Sequence, residues 1–464
     1  MSSSNNKIRF DQDLVERYGG RGPRYTSYPT ALQFDEGFTV ADYERIARES
    51  NRNGRPLSIY VHIPFCRTLC YYCACNKIVT RNAERVRNYL VNLEREIDLQ
   101  SALFDDTRRV EQLHLGGGTP NYLNHKQLWA LIADLRQAFA FDESDSREFS
   151  IEVDPRCIER NTIEVLADLG FNRLSVGVQD FDAQVQEAVN RMQSLELICK
   201  LVADARENYF RSVSFDLIYG LPHQTVESFD RTLELVLAIR PERLAIYNYA
   251  HLPLRFKAQG MIDEADLPTP QTKLKILSHT IDKLGSSDYV YIGMDHFALP
   301  DDDLVIAKQN GSLQRNFQGY STHGNCDLIG LGVSAIGHIG NAYAQNSVST
   351  SEYETLLSCG RLPIKRGIEV DPDDRLRADV IQNLMCHDRL NISEFEDAHG
   401  IDFQSYFQDE LEHLGPLVED GLVCVDDEGI EITGSGRLLM RSVAMVFDRY
   451  LNREQNDGRF SKAI

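Results

Sequence analysis

The run PFCRTLCYYC carries Cys66, Cys70 and Cys73 at CxxxCxxC spacing, directly after the apolar stretch Leu57 to Ile63. Three thiolates so spaced can hold three corners of a [4Fe-4S] cube and leave the fourth iron open to a small molecule. A zinc site is the competing reading, because Cys75 supplies a fourth thiol and zinc usually takes four ligands from paired clips. No second clip follows, since Cys157, Cys199, Cys326, Cys359, Cys386 and Cys424 are isolated. Incidental thiols are the third reading. Ten cysteines over 464 residues do not resemble a small secreted disulfide framework, and no apolar segment with a cleavage site opens the chain. The cluster is the expectation, with Cys75 a spare thiol that packs or lies near it without ligating.

Further polar residues collect behind short β-rich runs. Strands are expected at Leu57 to Ile63, Val110 to Leu115, Phe149 to Val153, Arg173 to Val178, Ser212 to Leu217 and Arg243 to Tyr247. Behind them stand His62 and Cys66, then Gly116, Gly117, Gly118 and Thr119, then Glu152 and Asp154, then Gln179 and Asp180, then Asp216, and last Asn248. Ligands of parallel α/β architectures bind at the carboxyl ends of the strands, so these residues would converge on one mouth. Each alone reads as well as a turn or cap residue; behind a cluster motif they read together as a site. GGGTP (116–120) matches neither GxxxxGK[ST] nor GxGxxG, which counts against a kinase, an ATPase or a nicotinamide dehydrogenase.

The elements that must position these residues alternate. One helix carries Val86, Tyr89, Leu90, Leu93 and Ile97 on one face, and others are expected near 126–139, 194–207 and 226–239. Six βα units mean a parallel sheet with right-handed crossovers, either doubly wound or a partly closed barrel; spacing does not separate the two. The net charge of −21 opposes attraction to nucleic acid or anionic membranes. The stretch from Leu328 to Ser351 lacks Asp, Glu, Lys and Arg, but it is rich in Gly, Ser, Asn and Gln and reads as buried strand and loop. A span would need ~20 predominantly apolar residues. The expected compartment is the cytoplasm, where a reducing interior suits an iron–sulfur centre.

The motifs then resemble a family. CxxxCxxC with Tyr72 between its last two cysteines is similar to the cluster loop of the radical S-adenosylmethionine (SAM) enzymes. YVHIPFC (60–66), CNKIVTR (75–81), HLGGGTP (114–120), SIEVDPR (150–156), GVQDF (177–181), DLIYGLP (216–222), NYAHLP (248–253), GMDHFA (293–298) and an N-terminal PRYTSYPT (23–30) resemble, in order, the oxygen-independent coproporphyrinogen III oxidase family. The likeness runs from about residue 20 to the C-terminal end. It implies a partial, six-unit parallel β/α barrel of radical SAM type, α/β in class. Segments 1–50 would be an extension, 51–345 the barrel with flanking elements, and 346–464 a mostly helical, winged-helix-like domain.

The resemblance places the cluster on Cys66, Cys70 and Cys73 and two SAM molecules against Tyr60, Tyr72, Gly117, Gly118, Thr119, Glu152, Gln179, Arg191, Asp216, Ala250 and Ile336, with Tyr72 against an adenine. It names no catalytic side chain. It implies that a 5'-deoxyadenosyl radical, made from SAM at the open iron, takes hydrogen from the β-carbon of a propionate. CO2 leaves, an acceptor takes the remaining electron, and two propionates of coproporphyrinogen III become the vinyls of protoporphyrinogen IX. An electron donor such as flavodoxin or ferredoxin would be a partner, and the chain would be a monomer bound to neither nucleic acid nor membrane. Two alternatives stand beside this reading. A related haem-binding chaperone shares the cluster motif but generally lacks the N-terminal extension that PRYTSYPT represents. A zinc-stapled binding protein would have no chemistry.

Arg24 is a candidate cation for a propionate, with Tyr25 and Tyr28 as ring contacts; the bland reading of this segment is an ordered strap. Two departures from the family pattern are Ala74, where Gly is expected, and Leu299, where Arg is expected. The first adds a methyl near the cluster, and the second removes a cation. Residues 271–345 should add a helix and strands to the flank of the barrel. Helical stretches at 375–386, 392–399 and 404–415 should precede two short strands around the turn at 426–429 and a last helix over about 434–451.

Overall fold

In the computed structural model of the chain, residues 8–451 are described; the outer ends of the first and last expected segments, 1–7 and 452–464, lie outside them. Six parallel strands stand where alternation placed them: β1 (Leu57–Ile63), β2 (Val110–Gly117), β3 (Glu148–Val153), β4 (Arg173–Gln179), β5 (Ser212–Tyr219) and β6 (Arg243–Asn248). They lie side by side in chain order. A doubly wound sheet reverses its strand order at a switch point. An order that never reverses, joined by crossovers of one hand, keeps all the helices on one face. The six units are therefore a partial barrel.

The sheet stays open, because further strands extend both edges. Beside β6 lie the antiparallel β7 (Val290–Gly293) and β8 (His296–Ala298), in spatial order β6-β8-β7. Beside β1 lies a seventh parallel strand, β9 (Asp327–Leu331), followed by the antiparallel β10 (Ile336–Ile339), β11 (Ala342–Asn346) and β12 (Ile364–Glu369). The uncharged stretch after Leu328 thus becomes buried strand, as expected. Because β12 pairs with β11, the sheet continues past residue 345, and the covering part of the chain begins after Glu369.

Helices α1 (Ala83–Ser101), α2 (His125–Ala138), α3 (Leu195–Glu207) and α4 (Val226–Ile239) cover the outer face. Asn82 starts α1 by accepting from the amides of Glu84 (2.9 Å) and Arg85, and Val86, Tyr89, Leu93 and Ile97 form its buried stripe. Apolar residues of the strands, such as Ile59, Val61, Leu113, Leu115, Ile151, Val176 and Phe215, face these helices in one continuous core. The opposite face of the sheet is polar. Register lines run across it as Tyr60, His114, Ser150, Arg173 and Ser212, and as Glu152, Ser175, Ser214 and Arg243. A parallel sheet buried on both faces reads as unbroken apolar runs; polar alternation over six strands means that this face lines a cavity.

A second core joins early and late segments of the described residues. Helices α5 (Pro372–His387), α6 (Ile392–His399) and α7 (Gln408–Glu419) pack with a three-stranded antiparallel sheet. One strand of that sheet, Arg389–Asn391, was not foreseen beside the expected pair Val423–Val425 and Gly429–Ile432. The last helix does not run over 434–451. It is confined to 437–447 in three short pieces, where Met440, Val443, Ala444 and Phe447 make one buried stripe. Tyr25 and Tyr28 are inserted into this core. The Tyr25 hydroxyl donates to Asp448 at 3.0 Å, and the Tyr28 hydroxyl accepts the amide of Arg449. The two tyrosines are strap anchors rather than ring contacts for a ligand.

Candidate active site

The cysteine loop leaves β1 and is pinned on every side. Pro64 and Cys66 accept the amides of Ile78 and Thr80, at 2.6 and 3.1 Å. Gly118 donates to the carbonyl of Ile63, and a Cβ at Gly118 would lie 2.8 Å from the carbonyl carbon of Pro64. A Cβ at Gly117, whose φ is +113°, would strike the His62 ring at 2.7 Å. The glycines of GGGTP are thus required by the close approach of β2 to the root of the cysteine loop. His62 is buried, which keeps its imidazole neutral below its usual pKa. Its Nε2 lies 3.0 Å from the carbonyl of Asn76, and its Nδ1 lies 3.1 Å from the Tyr60 hydroxyl.

Each thiol has its own neighbours. Thr119 donates to Cys66 Sγ at 3.4 Å, while burial pushes the Cys66 thiol up to about 11. Cys70 Sγ accepts from Arg156 at 3.3 Å and from Arg191 at 3.6 Å. Its neighbour Cys75, aided by Lys77, holds the Cys73 thiol down to about 6 against the effect of burial. Two guanidiniums thus stand at Cys70, and an ammonium stands near Cys73, within one loop. That donor set suits an anionic iron–sulfur cluster, whose charge and sulfur acceptors the cations would meet. Cys75 is exposed beside Cys73. Ala74 is exposed, so its methyl displaces nothing in the interior.

Arg191 and Arg156 share Asp154, at 3.0 and 2.7 Å. Burial works against the charge, yet the two arginines hold the Asp154 carboxyl below the usual carboxylate range. Asn121 fixes the backbone of Asp154 through two hydrogen bonds of 2.9 and 3.0 Å, and Asn190 donates to the carbonyl of Leu69. Asp154 and Arg156 form the floor under Cys70. Spacing alone did not single out Arg156, although it closes the SIEVDPR motif.

The remaining expected residues gather at the same mouth. Tyr60 stacks on His114 at 5.8 Å; Glu152 accepts the amide of Gly117 at 3.2 Å and lies 3.3 Å from His114. Burial, and then the charge of Glu152, push the Asp216 carboxyl up to about 7, and Ser175 donates to it at 2.9 Å. Gln179 has a positive φ of 69°, and its side chain reaches toward Gly177, whose carbonyl accepts from Arg191. The carbonyls of Tyr72 and Ala250 are tied by one buried side chain, since Gln259 Nε2 donates to both, at 3.0 and 3.2 Å. Nothing in the sequence marked Gln259. Ile336 lies two strands away from Tyr60, its backbone against Gly330 on the intervening strand, which pairs with Tyr60.

Some strand-end residues serve the frame instead. Asp180 is buried and accepts from Thr232 and Gln224, fixing one loop to the next. Leu299 is buried in the main core, so its side chain does not stand at the mouth. At the closed end of the polar face, burial is outweighed by Arg173 and Arg243, which hold the Glu148 carboxyl down to about 2; Arg243 pairs in turn with Asp302 at 2.9 Å. Arg24 is already paired with Asp295.

Comparison with known proteins agrees with this geometry. Residues 60–236 match the family model of the radical SAM superfamily, and residues 370–439 match that of the HemN C-terminal domain. Oxygen-independent coproporphyrinogen III oxidase of Pseudomonas aeruginosa is 52% identical over 457 residues, covering 98% of this chain and 99% of that protein. The enzyme of the same name from Escherichia coli is 50% identical, covering 99% of each chain. A solved structure described as "Coproporphyrinogen III oxidase (HemN) from Escherichia coli is a Radical SAM enzyme" superimposes with a TM-score of 0.91, covering 96% of this chain and 100% of that one. Identity of this depth over the whole length, strap and covering domain included, makes the chain a member of the oxygen-independent coproporphyrinogen III oxidase family of radical SAM enzymes.

Proposed function

We infer that the chain catalyses the anaerobic oxidative decarboxylation of two propionates of coproporphyrinogen III to vinyl groups, yielding protoporphyrinogen IX in haem biosynthesis, with a [4Fe-4S] cluster and SAM as cofactors. The observation that carries this reading is the end-to-end likeness to coproporphyrinogen III oxidases of a chain whose three thiols stand among cations at a polar β/α mouth. The haem-binding chaperone alternative loses ground because the likeness includes the N-terminal strap. When bound, the cluster and SAM would supply the radical chemistry for removing a hydrogen atom at a propionate β-carbon.

The side chains hold the parts in place. Cys66, Cys70 and Cys73 are the proposed ligands, and Arg156 and Arg191 offset the charge on the Cys70 sulfur. Glu152 and Asp216 are proposed to accept from ribose hydroxyls or the methionine ammonium, and Arg191 is a second cation for a carboxylate. The Tyr60 ring and the backbone at Gly117, Gly118 and Thr119 frame the site beside the cysteine loop. Tyr72 and Ala250, locked to each other by Gln259, are proposed to bracket an adenine, with Gln179 and Ile336 completing the two SAM sites. Positioning the radical carbon against one C–H bond, with water excluded, is the protein's contribution.

We propose further that a small one-electron carrier such as flavodoxin or ferredoxin supplies the electron and that the chain works as a cytoplasmic monomer. Among the described residues no helix is long and apolar enough to cross a membrane. The test is an anaerobic assay of cluster-reconstituted protein with SAM, dithionite and coproporphyrinogen III, following protoporphyrinogen and 5'-deoxyadenosine together. Both products are expected from the wild type and neither from Cys70→Ser. If 5'-deoxyadenosine forms without decarboxylation, the assigned substrate is wrong.

A further inference from the structure

On the β6 side of the mouth, cations from the strap, a hairpin and the covering domain come together. Arg24, from the strap, pairs with Asp295 and lies 5.7 Å over the Tyr247 ring. Arg315 is carried by the hairpin of Gln314–Asn316 and Gly319–Ser321, lies 4.8 Å over the Tyr320 ring, and is only 4% exposed. Its Nε donates to the carbonyl of Arg24 at 3.2 Å, but its Nη1 is buried with no hydrogen-bond partner among the described residues. His296, on β8, stands edge-on to both Tyr247 and Tyr320, and its Nδ1 is also buried and unpartnered. Arg441 comes in from the covering domain, donating to the carbonyl of Pro23 at 2.9 Å. Burial, then Arg24, and with them Arg315, push Arg441 down to about 10. Arg24 pairs with Asp295, and Arg441 lies close enough to feel the charge of the same acid.

A buried charged donor without a partner is costly, so its retention calls for a partner that arrives with the ligand. The ligand group must be an anion that accepts several hydrogen bonds, and a carboxylate matches the planar guanidinium fork. The place is continuous with the mouth, because Tyr247 is the inward-facing residue of β6 whose hydroxyl feels the charges of Asp216, Arg24 and Arg315. There is also room, since a Cβ at Gly319 would meet nothing nearer than His296 Nε2 at 3.8 Å.

We propose that Arg315, with His296 beside it, is an anchoring subsite for a propionate carboxylate of the porphyrinogen substrate. The inference rests on the substrate assigned above. The methionine carboxylate of SAM has the same chemistry, and the experiment separates the two sources. Full-length, cluster-reconstituted Arg315→Gln and Arg315→Lys proteins are compared with wild type in KM for coproporphyrinogen III, in SAM affinity by equilibrium dialysis, and in 5'-deoxyadenosine formation without substrate.

Arg315→Gln is expected to raise the substrate KM about tenfold or more, the scale of a lost charge-assisted bond. SAM affinity and substrate-free SAM cleavage should stay within about twofold of wild type, and Arg315→Lys should restore part of the KM, since it keeps the charge without the fork. An unchanged KM overturns the subsite. A loss of SAM affinity in place of substrate affinity overturns the propionate assignment. If Arg315→Gln does not fold, Arg315→Lys decides alone, and a KM equal to that of wild type refutes the proposal. A wild-type protein that cleaves SAM without decarboxylating overturns the assigned reaction itself, a result distinct from any change confined to the variants.

Discussion

At the residue scale, the site is organised around a charge that the chain itself does not supply. Arg156 and Arg191 both point at Cys70, and Asp154 is the one carboxylate they share. Removing one partner from a buried ionic group leaves the others uncompensated, at a cost of about 3–5 kcal/mol. Asp154→Asn is therefore expected to destabilise the apo protein on that scale. The cluster-loaded protein should lose less, because the anionic cluster meets both guanidiniums. Urea denaturation of the two forms measures the difference, and equal losses would show that the arginines do not serve the cluster. CxxxCxxC and GGGTP announced themselves by spacing. Arg156 and Gln259 did not, because each acts through tertiary contacts with loops far off in the chain.

At the scale of elements, α1 is fastened to the sheet by one buried acid. Glu96 accepts from the Gly332 amide at 2.7 Å, the Tyr353 hydroxyl at 2.6 Å and Asn346 Nδ2 at 2.6 Å, and so joins α1 to β11 and to the turn after β9. From the same helix, Tyr89 donates to the carbonyl of His62, so the fastening reaches the root of the cysteine loop. Burial outweighs the three donors and pushes the Glu96 carboxyl up to about 7. A carboxyl raised in the folded state binds its proton more tightly there than in the unfolded chain, so its ionisation costs stability as pH rises from about 4.3 to about 7. Glu96→Gln, which mimics the protonated acid, is expected to match wild type near pH 4 and to gain relative stability by pH 8, by up to about 3 kcal/mol. Thermal melts across that range test it; a difference that does not vary with pH would mean that Glu96 ionises alike in the folded and the unfolded chain. The βα units were legible as elements because amphipathic periods are local. The strand Arg389–Asn391 was too short to show a period, and the last helix shrank to 437–447 as its stripe ends at Phe447.

At the scale of the whole molecule, two cores share the strap. Tyr25 and Tyr28 belong to the covering core, while Arg24 between them and the mouth faces Asp295 and Tyr247. The strap thereby holds the covering domain and one wall of the site in register. The protein's charge of −21 repels a substrate with four carboxylates at long range, and the cations of the mouth act only at short range. Raising ionic strength from roughly 20 to 200 mM, which shortens the Debye length to below about 10 Å, should therefore raise kcat/KM by roughly twofold or more. A fall instead would show that the local cations govern capture from a distance.

The cysteine spacing, the order of polar strand ends and the family motifs determined the cofactor class, the six-unit parallel sheet and the reaction, because these are written in local spacing and in long matched motifs. The tertiary structure decided whether the sheet was wound once or twice, since strand order depends on pairing between segments. It also decided that Tyr25, Tyr28 and Leu299 are packing residues, that Arg24 already has its acid, and that Arg315 and His296 each keep a buried nitrogen without a partner among the described residues, beside the mouth. A charge reads the same in a sequence whether it is compensated or not; only the fold brings its partner to it, or leaves the place open.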